Sequence, residues 1–162
     1  MANLTIGVPS TFEPLRNNRF VAEFPQELGL ETWKVRTFSA PKASHNVVEV
    51  PFINETRYVI GKYKWEPMDI ELIATIGPST PSQVMDWFRL HSESLTGRQG
   101  YAAGYLKSII LKSLDPAGVE VDKWTLEECL ISKIDFGQRD MADDEIQIIT
   151  VTVQPYRCIH NY

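Results

Sequence analysis

Apolar and polar residues alternate with a period of two along most of this chain, the signature of strands with one face buried and one in water. A loose arm over residues 1–17 leads into Phe20, Ala22 and Phe24, which alternate with Val21 and Glu23. Two β-rich runs follow, WKVRTFSAPKAS and VVEVPFINETRYVIG. The polar turn Ile53-Asn54-Glu55-Thr56 predicts a protruding hairpin from about Val47 to Ile60. In MDIELIATI, Met68, Ile70, Leu72, Ala74 and Ile76 share one face, while Asp69, Glu71, Ile73 and Thr75 share the other. One side of that strand meets a core; the other is mostly acidic.

The period then changes. Val84, Trp87, Phe88 and His91 fall at i, i+3, i+4 and i+7, with Leu95 one turn further, and predict an amphipathic helix. Thr80 reads as its N-cap, Pro81 as its first helical residue, Gln83 as the reciprocal member of a capping box and Gly97 as its stop. After the loop RQGYAAG come the strand YLKSIILKSL, a turn at Asp115-Pro116-Ala117-Gly118, the long run VEVDKWTLEECLISKIDF, and IQIITVTV to close the sheet. Strands far outnumber helices, so the expected fold is mainly β: a small barrel or sandwich with one flanking α-helix and a protruding β-hairpin. At 162 residues this is one domain, 1–162, without internal repeat or linker.

Composition narrows the class. An apolar fraction of 43% and a charged fraction of 23% are those of a folded globular protein. No run approaches a membrane span and the first residues lack a signal peptide's basic start, so the expectation is a protein that stays where it is made. Net charge is −5 with no Lys/Arg block, which argues against a protein that grips phosphate backbones and leaves room for one that lets DNA pass.

Candidate chemistry is sparse. His45, His91 and His160 stand in no H-x-x-x-H or H-E-x-x-H frame, and no metal or cofactor is expected. There is no nucleophile elbow, Walker loop or dinucleotide fingerprint, although GPST and GRQGYAAG are rich in small residues. The pairs Glu127/Glu128 and Asp143/Asp144 are adjacent, so strand geometry points them apart. Cys129 and Cys158 read as idle thiols, His91 as a packed side chain, and Trp33, Trp65, Trp87 and Trp124 as core or interface anchors. No residue is assigned a catalytic role. A small-ligand binder would be a stable monomer with an apolar cavity; a hydrolase would need a carboxylate pair assembled in space.

A chain poor in catalytic residues and dense in strand and aromatic signals suits a self-assembling structural subunit. The order of segments resembles the tail tube protein of contractile-tailed bacteriophages. It runs from the opening strand NNRFVAEFP, through SAPKASHNVVEVPFINETRYVIGKYKWEPMDIELIA and the helix SQVMDWFRLH, to the closing WTLEECLISKIDFGQRDMADDEIQIITVTVQPY. The likeness spans about Asn18 to Tyr156, and its most specific part is W-x-L-x-x-C-x-I-x-x-I-D-F over Trp124 to Phe136. It implies a β-barrel flanked by a helix, assembled as homo-hexameric rings that stack helically into a hollow tube within a contractile sheath. It further implies contacts with sheath, baseplate and tail terminator proteins, a tape measure protein and DNA in the lumen without specific binding, no membrane partner, and a place in the virion after assembly in the host cytoplasm. Tubes of phage-like bacterial injection devices and of type VI secretion are similar, and remain the alternative.

The resemblance assigns inter-ring packing to the hairpin, with Val47, Val48, Val50, Phe52, Asn54, Thr56, Tyr58 and Ile60 as contact residues. Two strands alone lack a core, so Phe52 and Tyr58 need a neighbour. IQIITVTV carries few edge guards and invites pairing with another chain. Asp69 and Glu71, with Asp143, Asp144 and Glu145 of the ADDE knot, are candidates for the lumen wall. Six copies at −5 each would repel phosphate and leave nothing for DNA to adhere to.

Overall fold

The computed structural model describes Gly7 and residues 11–161, so the arm expected over 1–17 lies mostly outside the described residues. Nine strands are described: β1 (Phe20–Glu23), β2 (Val35–Phe38), β3 (Ala43–Phe52), β4 (Glu55–Trp65), β5 (Met68–Ile73), β6 (Lys107–Leu114), β7 (Glu120–Asp135), β8 (Ile148–Gln154) and β9 (Arg157–Asn161). Helix α1 (Thr80–Arg89) and the single turn α2 (Ala102–Tyr105) lie between β5 and β6. The expected mainly β fold with one main helix is borne out. No described helix is long and apolar enough to cross a membrane.

All pairings are antiparallel, in the order β1-β6-β7-β8-β5-β2, with β9 on β7 and with β3 and β4 forming a separate pair. The 16-residue β7 belongs to two layers. Its first half pairs with β6 and β9, its second half with β8. Between the halves stands Glu128 at φ 52°, a left-handed residue where the ladder breaks and the strand turns from one layer into the other. The alternation read from the sequence fills the space between. Ala22, Ile109, Leu111, Leu126 and Cys158 from one layer meet Ile70, Leu72, Ile149, Val151 and Val153 from the other in a single buried cluster. Phe20 and Phe38, 5.0 Å apart edge to face, close the far side between β1 and β2.

Helix α1 lays Val84 and Trp87 into this core, and Trp87 Nε1 donates to Tyr105 O at 2.9 Å. Its ends differ from the sequence reading. Ser79 is the N-cap, accepting from Ser82 N, while Thr80 is wholly buried and donates its hydroxyl to Ile73 O at 3.0 Å. Gln83 does not close a capping box; its amide donates to Gly29 O and its carbonyl accepts from the buried Lys34 Nζ at 3.1 Å. Lys34 has a further long contact to Pro78 O, so this one side chain ties the segment before β2 to the helix entry.

The helix ends at Arg89, well before Gly97. The carbonyls of His91 and Glu93 are taken by Gly100 N and Gly97 N, and Ser92 bridges to Gln99, so residues 91–100 double back as a tight loop. Gly97, at φ 69°, serves that loop, and Leu95 is exposed instead of continuing the helical stripe. β5 likewise stops at Ile73, leaving Ile76 fully exposed. The turn after β6 is as read: Asp115 Oδ1 accepts from Ala117 N and Val119 N, with Gly118 at φ 85°.

Candidate functional site

The hairpin is longer than its sequence signal, running from Ala43 to Trp65 with ten residues in β3 and eleven in β4. It pairs with no other described strand, and most of its residues are exposed. Among the described residues it is attached at the root, where Trp65 packs edge to face on Trp124 at 6.3 Å and Trp65 O accepts from Gln154 Nε2 at 2.8 Å. At the tip, Ile53 occupies the left-handed region at φ 48° and is 88% exposed. A β-branched residue there is a steric outlier; Gly or Asn would fit better.

The register assigns side chains to faces. Val47 sits opposite Ile60 and Glu49 opposite Tyr58, whereas Val48, Val50 and Phe52 sit opposite Val59, Arg57 and Glu55. Between His45/Tyr63 and Val47/Ile60 the pairing slips by one residue in β4. Gly61 lies in that slip, and a Cβ on it would come within 3.0 Å of Asn46 O and 3.2 Å of Val48 Cγ2. The slip has a consequence for the surface. Tyr58, Ile60, Tyr63 and Trp65 fall on one face with Val47 and His45, and Val48, Val50, Phe52 and Val59 on the other. Among the eight hairpin residues expected to make contacts, Val47, Val48, Val50, Phe52, Tyr58 and Ile60 are large apolar side chains 45–70% exposed. Asn54 and Thr56 stand exposed at the tip.

At the root the tyrosine face runs into a groove of about 480 Å³ lined by Tyr63, Trp65, Tyr105, Leu130, Pro155 and Tyr156, among others. The indole N–H of Trp65 is itself buried and finds no acceptor among the described residues. The sequence pattern predicts the hairpin over 47–60 and carries no sign of this root: a one-residue slip leaves no mark on an alternation pattern except the glycine that permits it.

The five acids proposed for a lumen wall divide into two groups. Asp69 and Glu71 project from the solvent face of β5, Asp69 accepting from Thr152 Oγ1 at 2.6 Å. The register sets Thr37, Glu71, Thr150 and Asp135 in one row across β2, β5, β8 and β7, and Asp69, Thr152 and Lys133 in the next. This polar face includes a cation, Lys133, absent from the sequence expectation, and Arg36 stands exposed beside Thr37 in the β2 bulge. Asp143, Asp144 and Glu145 lie in the exposed loop joining β7 to β8, where Asp140 Oδ1 accepts from Ala142 N and Asp143 Oδ1 from Glu145 N. Gln147 anchors the loop through Phe136 O and Ala74 N. It therefore emerges at the end of the sheet where Ile73 faces Ile148, two residues past Glu71.

The remaining candidates are occupied structurally. Trp87 is core, Trp65 and Trp124 are half-buried, and Trp33 is exposed. His91 packs edge to face on Tyr105 at 4.7 Å, and His160 packs on Trp124 at 4.5 Å while hydrogen-bonded to Asp122. Both cysteines are buried thiols: burial pushes Cys129 up to about 12 and Cys158 to about 11. No metal-binding cluster occurs among the described residues.

No protein-family model and no curated protein matches the chain. Solved structures do. The sheath/tube terminator of an extracellular contractile injection system, PVC, aligns with TM-score 0.74 at 15% identity, over 94% of this chain and 100% of that one. The tube-terminating cap of the anti-feeding prophage aligns with TM-score 0.75 at 14% identity over 99% of both chains. This is the fold of contractile-system tube and terminator proteins. A chain of the PVC sheath–tube complex also carries the tube fold (TM-score 0.71, 15% identity, 91% of each chain), as does Hcp1 from Flavobacterium johnsoniae (TM-score 0.52, 12% identity, 88% of this chain and 94% of that one). The tube-like architecture that the sequence resemblance implies is thus borne out at the level of fold.

Proposed function

We propose that this protein is a structural tube subunit of a contractile phage tail. Homo-hexameric rings stack into a hollow conduit inside a sheath, ending at a baseplate and a terminator. The observation that carries the reading is the hairpin: some twenty residues of two-stranded sheet with large apolar side chains on both faces and no core of its own. A two-stranded hairpin is marginal in water by itself, and apolar patches of a few hundred Å² mark interaction sites. Contacts that join one surface of a molecule to a different surface of the next close into rings or extend as filaments. The shared tube fold supports the same reading.

In this reading the hairpin residues Val47 to Ile60 make the inter-ring contacts. The polar face bearing Asp69 and Glu71, with Asp143, Asp144 and Glu145 at its end, lines the bore. An acid-rich wall without a basic cluster offers phosphate no counter-charge, so DNA and a tape measure protein pass without adhering. A tube of a phage-like injection device is the second reading, supported by the PVC and anti-feeding prophage structures among the fold neighbours; the bore chemistry is common to both.

Negative-stain microscopy of the purified chain at increasing concentration tests the proposal. Six-fold rings or uniform hollow rods are expected. A monodisperse globule that neither rings nor stacks at any salt concentration refutes it.

A further inference from the structure

The groove at the hairpin root holds a residue that its backbone disfavours. Glu128 stands in the groove wall at φ 52°, the left-handed conformation at which β7 turns from one layer into the other. A Cβ is crowded there, and glycine would make the same turn without strain. A strained residue kept at a surface points to a use for its side chain. Glu128 is exposed, and none of the ion pairs among the described residues includes its carboxylate.

The remaining wall is aromatic and apolar: Tyr63, Trp65, Tyr105 and Tyr156 with Leu130 and Pro155, around a volume of about 480 Å³. Tyr63 and Tyr156 are 61% and 65% exposed. Two of the rings are fixed by neighbours that do not line the groove, Tyr105 by His91 at 4.7 Å and Trp65 by Trp124 at 6.3 Å, so they are presented to a ligand with little further loss of side-chain freedom. Lys64 also borders the groove, but alternation along β4 turns its side chain to the other face of the hairpin from Tyr63 and Trp65. At the rim, the chain already shows one guanidinium shared between a ring and a carboxylate. Arg157 lies 5.7 Å from the ring centre of Tyr156 while its Nη1 stands 3.8 Å from Glu127 Oε2.

Aromatic faces attract cations through their quadrupole, and a carboxylate without a counter-charge attracts them further. A planar guanidinium meets both demands: it stacks on rings, bridges to a carboxylate, and sheds water more readily than a compact ammonium. We infer that this groove is a docking site for an arginine side chain presented by a partner protein, with Glu128 as its counter-charge and the tyrosine rings as the surfaces it lies against. The groove is larger than one side chain, and Leu130 and Pro155 offer an apolar floor to the residues that flank the arginine, which favours a peptide segment over free arginine. The site is complete within a single chain, so it goes beyond the tube reading and does not depend on it.

Titration of the dilute chain with acetyl-Gly-Leu-Arg-Leu-Gly-amide, followed by the NMR shifts of Trp65 and the tyrosine rings, tests this. Saturable shifts confined to the groove are expected, weaker with lysine in place of the arginine and weaker still with citrulline, which keeps the shape without the charge. Glu128→Gln should weaken binding roughly threefold to tenfold. Glu128→Gly should weaken it as much while melting at or above the wild-type temperature, because it removes the carboxylate and the strain together. Equal binding of the citrulline peptide or of free arginine, undiminished binding by either variant, or the absence of a saturable shift overturns the assignment. Assembled rods that exclude the peptide would give the groove to a second copy of this chain and overturn it as well.

Discussion

Replacing Ile53 by glycine separates folding from assembly, because the residue affects the two in different ways. In the free chain Ile53 sits at φ 48° with 88% of its surface in water. A left-handed conformation costs a residue with a Cβ about 1–2 kcal/mol, and glycine removes that cost. Glycine also gains freedom in the unfolded chain, which costs back about 0.5–1 kcal/mol. The free chain should therefore melt at the wild-type temperature or slightly above it. Assembly behaves otherwise. The backbone strain is present in both free and assembled protein and cancels, leaving the side chain that a neighbour covers. Burying an isoleucine contributes about 1.5–3 kcal/mol, and at 1.4 kcal/mol per decade its loss raises the critical concentration for polymerisation roughly 10- to 150-fold. Sedimentation of polymer across a dilution series measures this, with thermal melting of the dilute chain as the control. If Ile53→Gly polymerised at the wild-type concentration, the tip would not be a contact, and its strained isoleucine would have no explanation in assembly.

Three further outcomes are expected. Gly100→Ala places a Cβ 1.9 Å from the backbone oxygen of Leu90 in the loop that follows α1; at about 1–3 kcal/mol for forced overpacking, Tm should fall by roughly 2–12 °C, and an unchanged melt would disprove the close approach. Asp143→Lys with Asp144→Lys reverses two exposed charges in the β7–β8 loop; assembled rods should then retain short DNA at low salt and release it as salt rises, and rods that still ignore DNA would remove this loop from the bore. Cys129 and Cys158, pushed by burial to about 12 and about 11, should resist alkylation in the native chain and react on unfolding. Because these folded-state values lie above the ordinary 9.0, the unfolded chain releases thiol protons first. Their contribution to stability is complete below about pH 9 and is lost as pH rises toward 11–12, which denaturant titrations at successive pH values would show.

Much of the fold was legible because burial imposes a period. The alternation in 68–73 matches β5, whose Met68, Ile70 and Leu72 are all buried, and the spacing of Val84 and Trp87 matches the buried stripe of α1. Where partners distant in sequence decide, the local signal fails. Thr80 has the chemistry of a cap but is drawn inside by Ile73 O, and Gln83 leaves the helix start for Gly29 and Lys34. Gly97 reads as a helix stop, yet the helix ends at Arg89, because Gly100 lies against the carbonyl of Leu90 and residues 91–100 fold back on themselves. Strand β9, beyond the last run read as sheet, exists because the first half of β7 offers it an open edge.

By itself, then, the sequence determined the inward and outward residues of β1 and β5, the presence of one amphipathic helix, and an exposed hairpin with apolar side chains, since these depend on neighbours a few positions away. Tertiary structure alone decided that β7 would pass from one layer to the other at Glu128, that Lys34 would be buried against the helix, and that the slip at Gly61 would gather Tyr58, Ile60, Tyr63 and Trp65 onto one side. A bulge adds one residue to one strand, and its effect on every side chain beyond it is fixed by the opposing strand, which local periodicity does not contain.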